Sequence, residues 1–309
     1  MTDSIAAADH STLLNIGSRF KSLLMRSESL RGYLLLSPTA IVVIGLILLP
    51  LAGMIVLSFW IQSSGNNIEP AFSFQNYLAT LTKESYRTLF IRSLAISGLT
   101  TFFAVLLAYP MAYYVAFHVH RNKMVWIILM TLPFWTSYLL RVFAWKIILG
   151  FNGAINSGLS WLGFIEQPLT VLLYNPTAVV ITLTHAWAAF AILPIYVSLE
   201  KIDRTLLEAA TDLGDGPVAR FMRIILPLSL PGIIAATILI FIPTVGDYVT
   251  PSLVGGADGY MISNAIQFQF SRGSNWPLGA SLALTSMTLV TLIAVLYIWI
   301  TRRITEKIE

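Results

Sequence analysis

Apolar residues gather into six long runs, at about 35–60, 93–117, 125–149, 178–199, 225–254 and 278–300. Each is near the ~20 residues a helix needs to cross a hydrocarbon layer. The first carries no charge from Leu34 to Gln62, and the sixth none from Pro277 to Thr301. Runs such as 233–242 are continuously apolar, whereas strands of a membrane barrel alternate over ~10-residue units. The pattern therefore predicts an all-α membrane protein with six transmembrane helices. The first run is too long for a signal-peptide core and no small-residue cleavage site follows it, so it reads as a retained span. Outside the spans, 1–32 reads as a tail, 33–300 as the membrane domain and 301–309 as a second tail. Gly65-Asn66-Asn67 and the Gly/Asn-rich 150–158 read as loops.

Composition supports this. Of 309 residues, 56% are hydrophobic and only 11% charged, against about 25% in a soluble domain. A water-soluble enzyme and a disordered chain are both excluded. The net charge of +4 comes from 19 Lys/Arg and 15 Asp/Glu without a cationic cluster, so nucleic acid is not an expected partner. The absence of cysteine excludes disulfides and thiolate chemistry. With the N-terminus inside, the inner segments hold Arg19, Lys21, Arg26, Arg31, Arg121, Lys123, Lys201, Arg204, Arg220, Arg223, Arg302, Arg303 and Lys307. The outer loops hold only Lys83, Arg87, Arg92 and Arg272. That bias predicts both termini in the cytoplasm. In the first tail, Leu13, Ile16, Phe20, Leu23 and Leu24 recur at helical spacing among cations. They fit either an amphipathic helix on the membrane surface or a partly ordered tail.

The segment between the fourth and fifth spans is not a plain connector. Leu206, Leu207, Ala210 and Leu213 share a helical face, Asp203 or Thr205 can cap its start, and Gly214 stands where a helix ends in left-handed backbone. Asp215-Gly216-Pro217 then opens a second short helix carrying Arg220 and Arg223, before Pro227 begins the span. Glu208-Ala209-Ala210, then Gly214, Ile224 and Leu226-Pro227 at their spacing, resemble the EAA loop of ABC importer permeases. Leu132-Pro133-Phe134-Trp135 through Arg141 and Trp145, Leu193-Pro194, 198–203, 241–247 and Trp276-Pro277 resemble the spermidine/putrescine branch of that family. The resemblance covers 35–300. It implies a type I (MetI-like) permease fold whose loop 200–227 docks on an ATP-binding subunit through Leu207, Glu208, Ala209, Ala210, Asp212, Gly214 and Arg220. It also implies a second homologous permease, two ATP-binding subunits, a periplasmic solute-binding protein and a bacterial inner-membrane location. ATP and Mg would be bound by the partners, since no phosphate-binding loop ending in Gly-Lys-Ser/Thr occurs here. No cofactor, metal site or catalytic set is expected in this chain.

Three charges fall inside spans: Arg141, Lys146 and Asp247. Each needs a partner or a watery cavity. Asp247 lies between Pro243 and Pro251 and beside Gly246, so the fifth span is expected to break there, and broken backbone in a membrane lines a protein-enclosed cavity. One reading makes Asp247, Tyr248, Trp135, Tyr138, Arg141 and Trp145 a cargo pathway, with the carboxylate and aromatic faces receiving an ammonium group. The other pairs Asp247 with Arg141 or Lys146 as a structural or gating ion pair. The surplus cation also admits an anionic or zwitterionic cargo, unless Lys146 snorkels to the outer surface. His185 reads as a packing residue or a proton relay, and His118 with His120 as a turn lacking a third metal ligand. The expected function is ATP-driven import of a small solute, a polyamine first, by alternating access. An amino-acid-like, opine or phosphonate cargo, or a stand-alone secondary transporter, is the alternative.

Overall fold

The computed structural model describes residues 28–63 and 67–305. The tail reading of 11–30 falls outside it, apart from the last three positions. The chain divides into two compact units between Val56 and Leu57. In the first unit lies most of α1 (Glu28–Ser58), whose large apolar side chains from Leu35 to Leu49 are exposed. After it, β1 (Ile61–Gln62) and β2 (Ile68–Glu69) form a two-residue antiparallel ladder, a minor exception to the all-α expectation.

The remaining elements are α2 (Gln75–Thr82), α3 (Glu84–Phe117), α4 (Lys123–Thr131), α5 (Tyr138–Ile148), α6 (Ala154–Trp161), α7 (Pro176–Glu200), α8 (Arg204–Asp212), α9 (Pro217–Arg220), α10 (Leu226–Val245), α11 (Ile262–Phe270) and α12 (Trp276–Thr305). Among the described residues, five continuous helical stretches are long and apolar enough to cross a membrane. The sixth candidate is a bent pair: α4 with its 3₁₀ extension to Trp135, and α5, meeting at 81°.

Three sequence expectations are corrected here. The third span is not one helix over 125–149 but breaks at Thr136–Ser137, so the chain has two interrupted spans rather than one. Pro133 is the second residue of the 3₁₀ turn Leu132–Trp135, and Thr136 and Ser137 take extended backbone (ψ 152° and 131°). Residues 150–158 are not all loop, because Ala154 onward is helical in α6. Finally, the second knob helix does not stop before the fifth span. α9 runs through a π-helical turn (Phe221–Ile225) directly into α10, so Pro217–Val245 is one rod. Pro227 follows that π-helical turn, so the interior hydrogen bond its missing N–H forfeits falls where the backbone ladder is already irregular.

The core is made of small residues. Ala104, Ala108, Ala112 and Ala116 recur every fourth position of α3, all buried, against Ala191, Ile192, Ile195 and Leu199 of α7 and Ala236 and Ile240 of α10. Between helices in lipid there is no apolar contrast to drive association, so close backbone approach and van der Waals contact must hold them. Gly232 marks the tightest point. A Cβ there would stand 2.5 Å from the Pro194 carbonyl oxygen and 2.6 Å from the Ser198 Cβ, while its own N–H donates to Ser198 Oγ at 3.1 Å. Some hydroxyls buried in the bundle bond back to their own helix, as Thr101 does to Ser97 O (2.7 Å) and Thr244 to Ile240 O (2.9 Å), whereas those of Ser97, Thr100, Thr182 and Thr184 have no partner among the described residues.

Gly232→Val is expected to lower the thermal midpoint of the detergent-solubilised protein, since overpacking of this kind costs about 1–3 kcal/mol. Gly98→Ala, in the interior of α3 with nothing within 4 Å of the new carbon, is expected not to lower it and to add up to about 1 kcal/mol of stability. Equal melting of wild type and Gly232→Val would show that α7 and α10 are not closely packed.

Candidate functional site

The two breaks face each other. At the fifth-span break, Gly246 closes α10 and the Asp247 N–H bonds back to Thr244 O at 3.3 Å. The Asp247 carboxylate then caps the next helical turn. Its Oδ1 accepts the N–H groups of Val249 (2.8 Å) and Thr250 (3.2 Å), and its Oδ2 accepts the Thr250 hydroxyl (2.8 Å). Tyr138, the first residue beyond the third-span break, donates its hydroxyl to the same Oδ2 and lies 2.6 Å from Thr250 Oγ1. The carboxylate thus has donors at both oxygens, and one of them comes from another span.

The carbonyls freed at the break are also satisfied. Ser263 Oγ donates to Asp247 O (2.6 Å), and Asn264 Nδ2 donates to Tyr248 O and Ser252 Oγ (both 2.8 Å). α11 therefore repairs the backbone that the prolines and Gly246 leave open. The sequence reading missed Ser263 and Asn264, because only their partners 16 residues earlier give them a role.

A cavity of about 360 Å³ opens between the breaks, lined by Phe134, Tyr138, Arg141, Ala186, Trp187, Phe190, Pro243 and Asp247. Phe134 meets Phe190 edge-on with centroids 4.3 Å apart, and Trp187 lies 5.0 Å from Phe190. Of the six proposed pathway residues, Tyr138, Arg141 and Asp247 come together here. Trp135 is 82% exposed, Tyr248 is about half exposed, and Trp145 packs edge-on against His185 at 5.3 Å. None of these three lines the cavity. Its aromatic wall comes instead from Phe134, one residue before Trp135, and from Trp187 and Phe190, one turn apart on α7. The i, i+3 spacing of Trp187 and Phe190 on a predicted span was the available signal.

Neither cation pairs with Asp247. Arg141 Nη1 donates to Ala186 O (2.9 Å) and its guanidinium lies 5.8 Å from the Tyr138 ring. Lys146 lies in the last turn of α5, 6.0 Å from the Tyr174 ring. The ion-pair reading of Asp247 is therefore replaced by a cap and cross-span clamp. Two buried donors of the cavity residues, Arg141 Nε and Trp187 Nε1, have no hydrogen-bond acceptor.

At the other end of the rod stands the knob. Asp203 caps α8, with Oδ1 accepting the Thr205 N–H at 3.0 Å. That contact holds its carboxyl below the usual range, so the cap is kept at neutral pH and lost only as pH falls through the lowered value. Gly214 has φ +90° and turns the corner. Arg220 Nη1 donates to Thr211 Oγ1 (2.6 Å) and Arg223 pairs with Asp215 (3.0 Å), tying α8 to the rod. The expected single apolar face splits. Leu207 and Ala210 turn to the bundle, whereas Leu206 and Leu213 are exposed, the latter 87%, because Leu213 lies past the last helical turn. With Val218 and Met222 they form an exposed apolar surface, next to exposed Glu208, Ala209 and Asp212.

Residues 33–306 match the profile of a family described as "Binding-protein-dependent transport system inner membrane component". The chain is 34% identical over 263 residues to the "Spermidine/putrescine transport system permease protein PotB" of Escherichia coli (strain K12), covering 85% of this chain and 95% of that one. It is 32% identical over 238 residues to the "Inner membrane ABC transporter permease protein YdcU" of the same organism, covering 73% and 75%. A similar fold occurs in a bacterial alginate ABC transporter in complex with an alginate pentasaccharide-bound periplasmic protein, with TM-score 0.72 and 18% identity over 93% of this chain and 98% of that one. The MetNI methionine transporter shares it with TM-score 0.52 and 17% identity over 74% and 100%.

Asp247→Ala is expected to lower the thermal midpoint more than Tyr138→Phe, because it removes a helix cap (about 0.5–2 kcal/mol) as well as charge-assisted bonds (about 1.5–3 kcal/mol). Trp135→Ala is expected to have no effect. If Asp247→Ala melts like wild type, the clamp does not hold the breaks together.

Proposed function

The chain belongs to the family of binding-protein-dependent transport system inner membrane components and is a multi-pass permease subunit of an ABC importer, not an enzyme, and from that premise we propose that it imports polyamines. The observation that carries the cargo class is its identity of 34% to a spermidine/putrescine permease over 85% of the chain. The cavity chemistry supports it. Tyr138, Phe134, Trp187 and Phe190 offer ring faces around a small volume closed by the Asp247 carboxylate. An alkylammonium gains about 0.5–2 kcal/mol from each such face and is attracted by the carboxylate.

The machine assembles with a second homologous permease, two ATP-binding subunits that hold ATP and Mg, and a periplasmic binding protein that delivers the solute. Both termini and the knob lie in the cytoplasm, as the cation bias requires. Exposed Leu206, Leu213, Val218 and Met222 enter the docking surface with Glu208, Ala209 and Asp212. Closure of the ATP-binding subunits moves the knob and, through the rod Pro217–Val245, reaches the break at Gly246–Asp247 directly. The cavity then passes between outward and inward access. A stand-alone secondary transporter would carry its broken spans in corresponding positions of two halves; the third and fifth of six do not correspond, and that reading leaves the built knob without a use.

A second cargo reading has its own observation. Every strong acceptor of Asp247 is taken by this chain's own donors, while Arg141 Nε and Trp187 Nε1 lack acceptors. A carboxylate or phosphonate group would satisfy them.

The test is uptake by the reconstituted complex with its binding protein and ATP. Labelled spermidine is expected to accumulate, and unlabelled glutamate or a phosphonate to leave it unchanged. Uptake of the anion instead transfers the site to the second reading, and uptake by this chain alone without nucleotide would overturn the ABC mechanism. Gly214→Val, which forces a β-branched residue into left-handed backbone at about 1–2 kcal/mol, is expected to weaken binding of the ATP-binding subunits or to uncouple hydrolysis from uptake. Normal coupling in that variant would remove the corner from the docking surface.

A further inference from the structure

Two charges at the knob end of the bundle violate the local rules of their own helices. Lys123 is the first residue of α4, at the positive end of the helix dipole, and Glu200 is the last of α7, at the negative end. Each is misplaced by the sequence that carries it and suited to its neighbour. Lys123 Nζ bonds both carboxylate oxygens of Glu200, at 2.8 and 2.9 Å, and also the Ala116 carbonyl, at 3.0 Å, in the last turn of α3. Asn122, just before it, is held at φ +62°, a conformation side chains rarely adopt. Arg204, the first residue of the knob helix α8, reaches the same Ala116 carbonyl at 3.3 Å. The ends of α3 and α7 and the starts of α4 and α8 therefore meet at one node.

Only α4 leads from that node to a break. It ends at the hinge at Thr136–Ser137, where Phe134 stands on one arm and Tyr138 and Arg141 on the other, all three lining the cavity. A displacement of α4 relative to α5 must change the shape of the cavity. The rod Pro217–Val245 gives the knob a route to the fifth-span break and, through the Asp247–Tyr138 clamp, to the second arm of the third span, but none to its first arm, α4.

We propose that the Lys123–Glu200 pair, with the Ala116 carbonyl, is the strut by which the knob moves the first arm of the broken third span. Lys123 is a positioning residue that touches neither cargo nor nucleotide. The inference rests on the ATP-driven reading of the chain, and it adds a second drive line reaching the cavity from the opposite wall.

In the reconstituted complex, Lys123→Met is expected to keep ATP hydrolysis and binding-protein docking while spermidine uptake per ATP falls several-fold. Glu200→Gln should do the same, and Lys123→Arg, which keeps both partners within reach, should restore the ratio. A change in that ratio with assembly intact is what a merely structural contact would not produce. An unchanged ratio in Lys123→Met overturns the strut, as does failure of both Lys123→Met and Glu200→Gln to assemble, which makes the node a folding element. A wild-type complex without ATP-dependent uptake speaks against the proposed function instead. For that outcome the strut has its own measurement, because the chain has no native cysteine. Spin labels at Met124→Cys and Thr205→Cys should give a single narrow distance in the full-length permease and a broadened one when Lys123→Met is added. Identical distributions would sink the strut whatever the cargo.

Discussion

A backbone N–H or C=O in hydrocarbon has no water to turn to, and every one left open costs several kcal/mol. This constraint explains why the chain is helical across the membrane and why its two breaks are so heavily furnished with side chains. At the fifth-span break, one carboxylate takes up two freed N–H groups and two hydroxyls, while Ser263 and Asn264 take up the freed carbonyls. At the third-span break, the Thr136 hydroxyl donates to Pro133 O at 2.7 Å, and Tyr138 crosses to the other break. The cavity exists because these repairs let two spans bend at the same level without exposing backbone to lipid.

The same constraint accounts for the division between stiff and soft parts. Where the helices are continuous they pack on alanines every fourth residue, with Gly232 against the Pro194 carbonyl, and such close contact leaves little room for sliding. Motion is left to the places where the ladder of backbone bonds is already interrupted. These are the hinge at Thr136–Ser137, the Gly246–Asp247 corner, and the π-helical turns at Phe221–Ile225 and Pro251–Gly255. On the proposed function, the first two of these stand at the cavity ends of the two routes from the knob.

Much of this was legible in the sequence. The six apolar runs, the capped helix Arg204–Asp212, the left-handed Gly214 and the fifth-span break all follow from local chemistry: hydropathy, Asp203 before a helix, glycine at a corner, two prolines around Gly246. The third-span break was not legible. Pro133 alone permits a kink, and the contact that joins this break to the other, Tyr138 to Asp247, lies 109 residues away in sequence. The cavity wall was half legible for the same reason. Trp135 and Phe134 are adjacent and equally aromatic, and only the direction of the 3₁₀ turn decides that Phe134 faces inward. The continuity of α9 with α10 was hidden by Pro227, which reads as a boundary until the π-helical turn before it is known.

On the proposed function, Asp247 would combine its structural role as cap and clamp with a role in transport. An ionised carboxylate used only to bind cargo would stand uncompensated in the cavity whenever cargo was absent, at a large desolvation cost. Here its charge is held by donors of the chain itself, so the empty cavity is stable. One of those donors, the Tyr138 hydroxyl, belongs to a different span and sits on the far arm of a hinge. Any movement that opens the angle between α4 and α5 and carries Tyr138 away leaves Oδ2 short of a partner at the moment the cavity changes shape. A passing ammonium would then replace the lost hydroxyl, and reclosure would restore the hydroxyl and release the ammonium. On that proposal, binding strength at Asp247 would be tied to hinge angle, which is the thermodynamic requirement for a site that must take up cargo in one state and release it in the other.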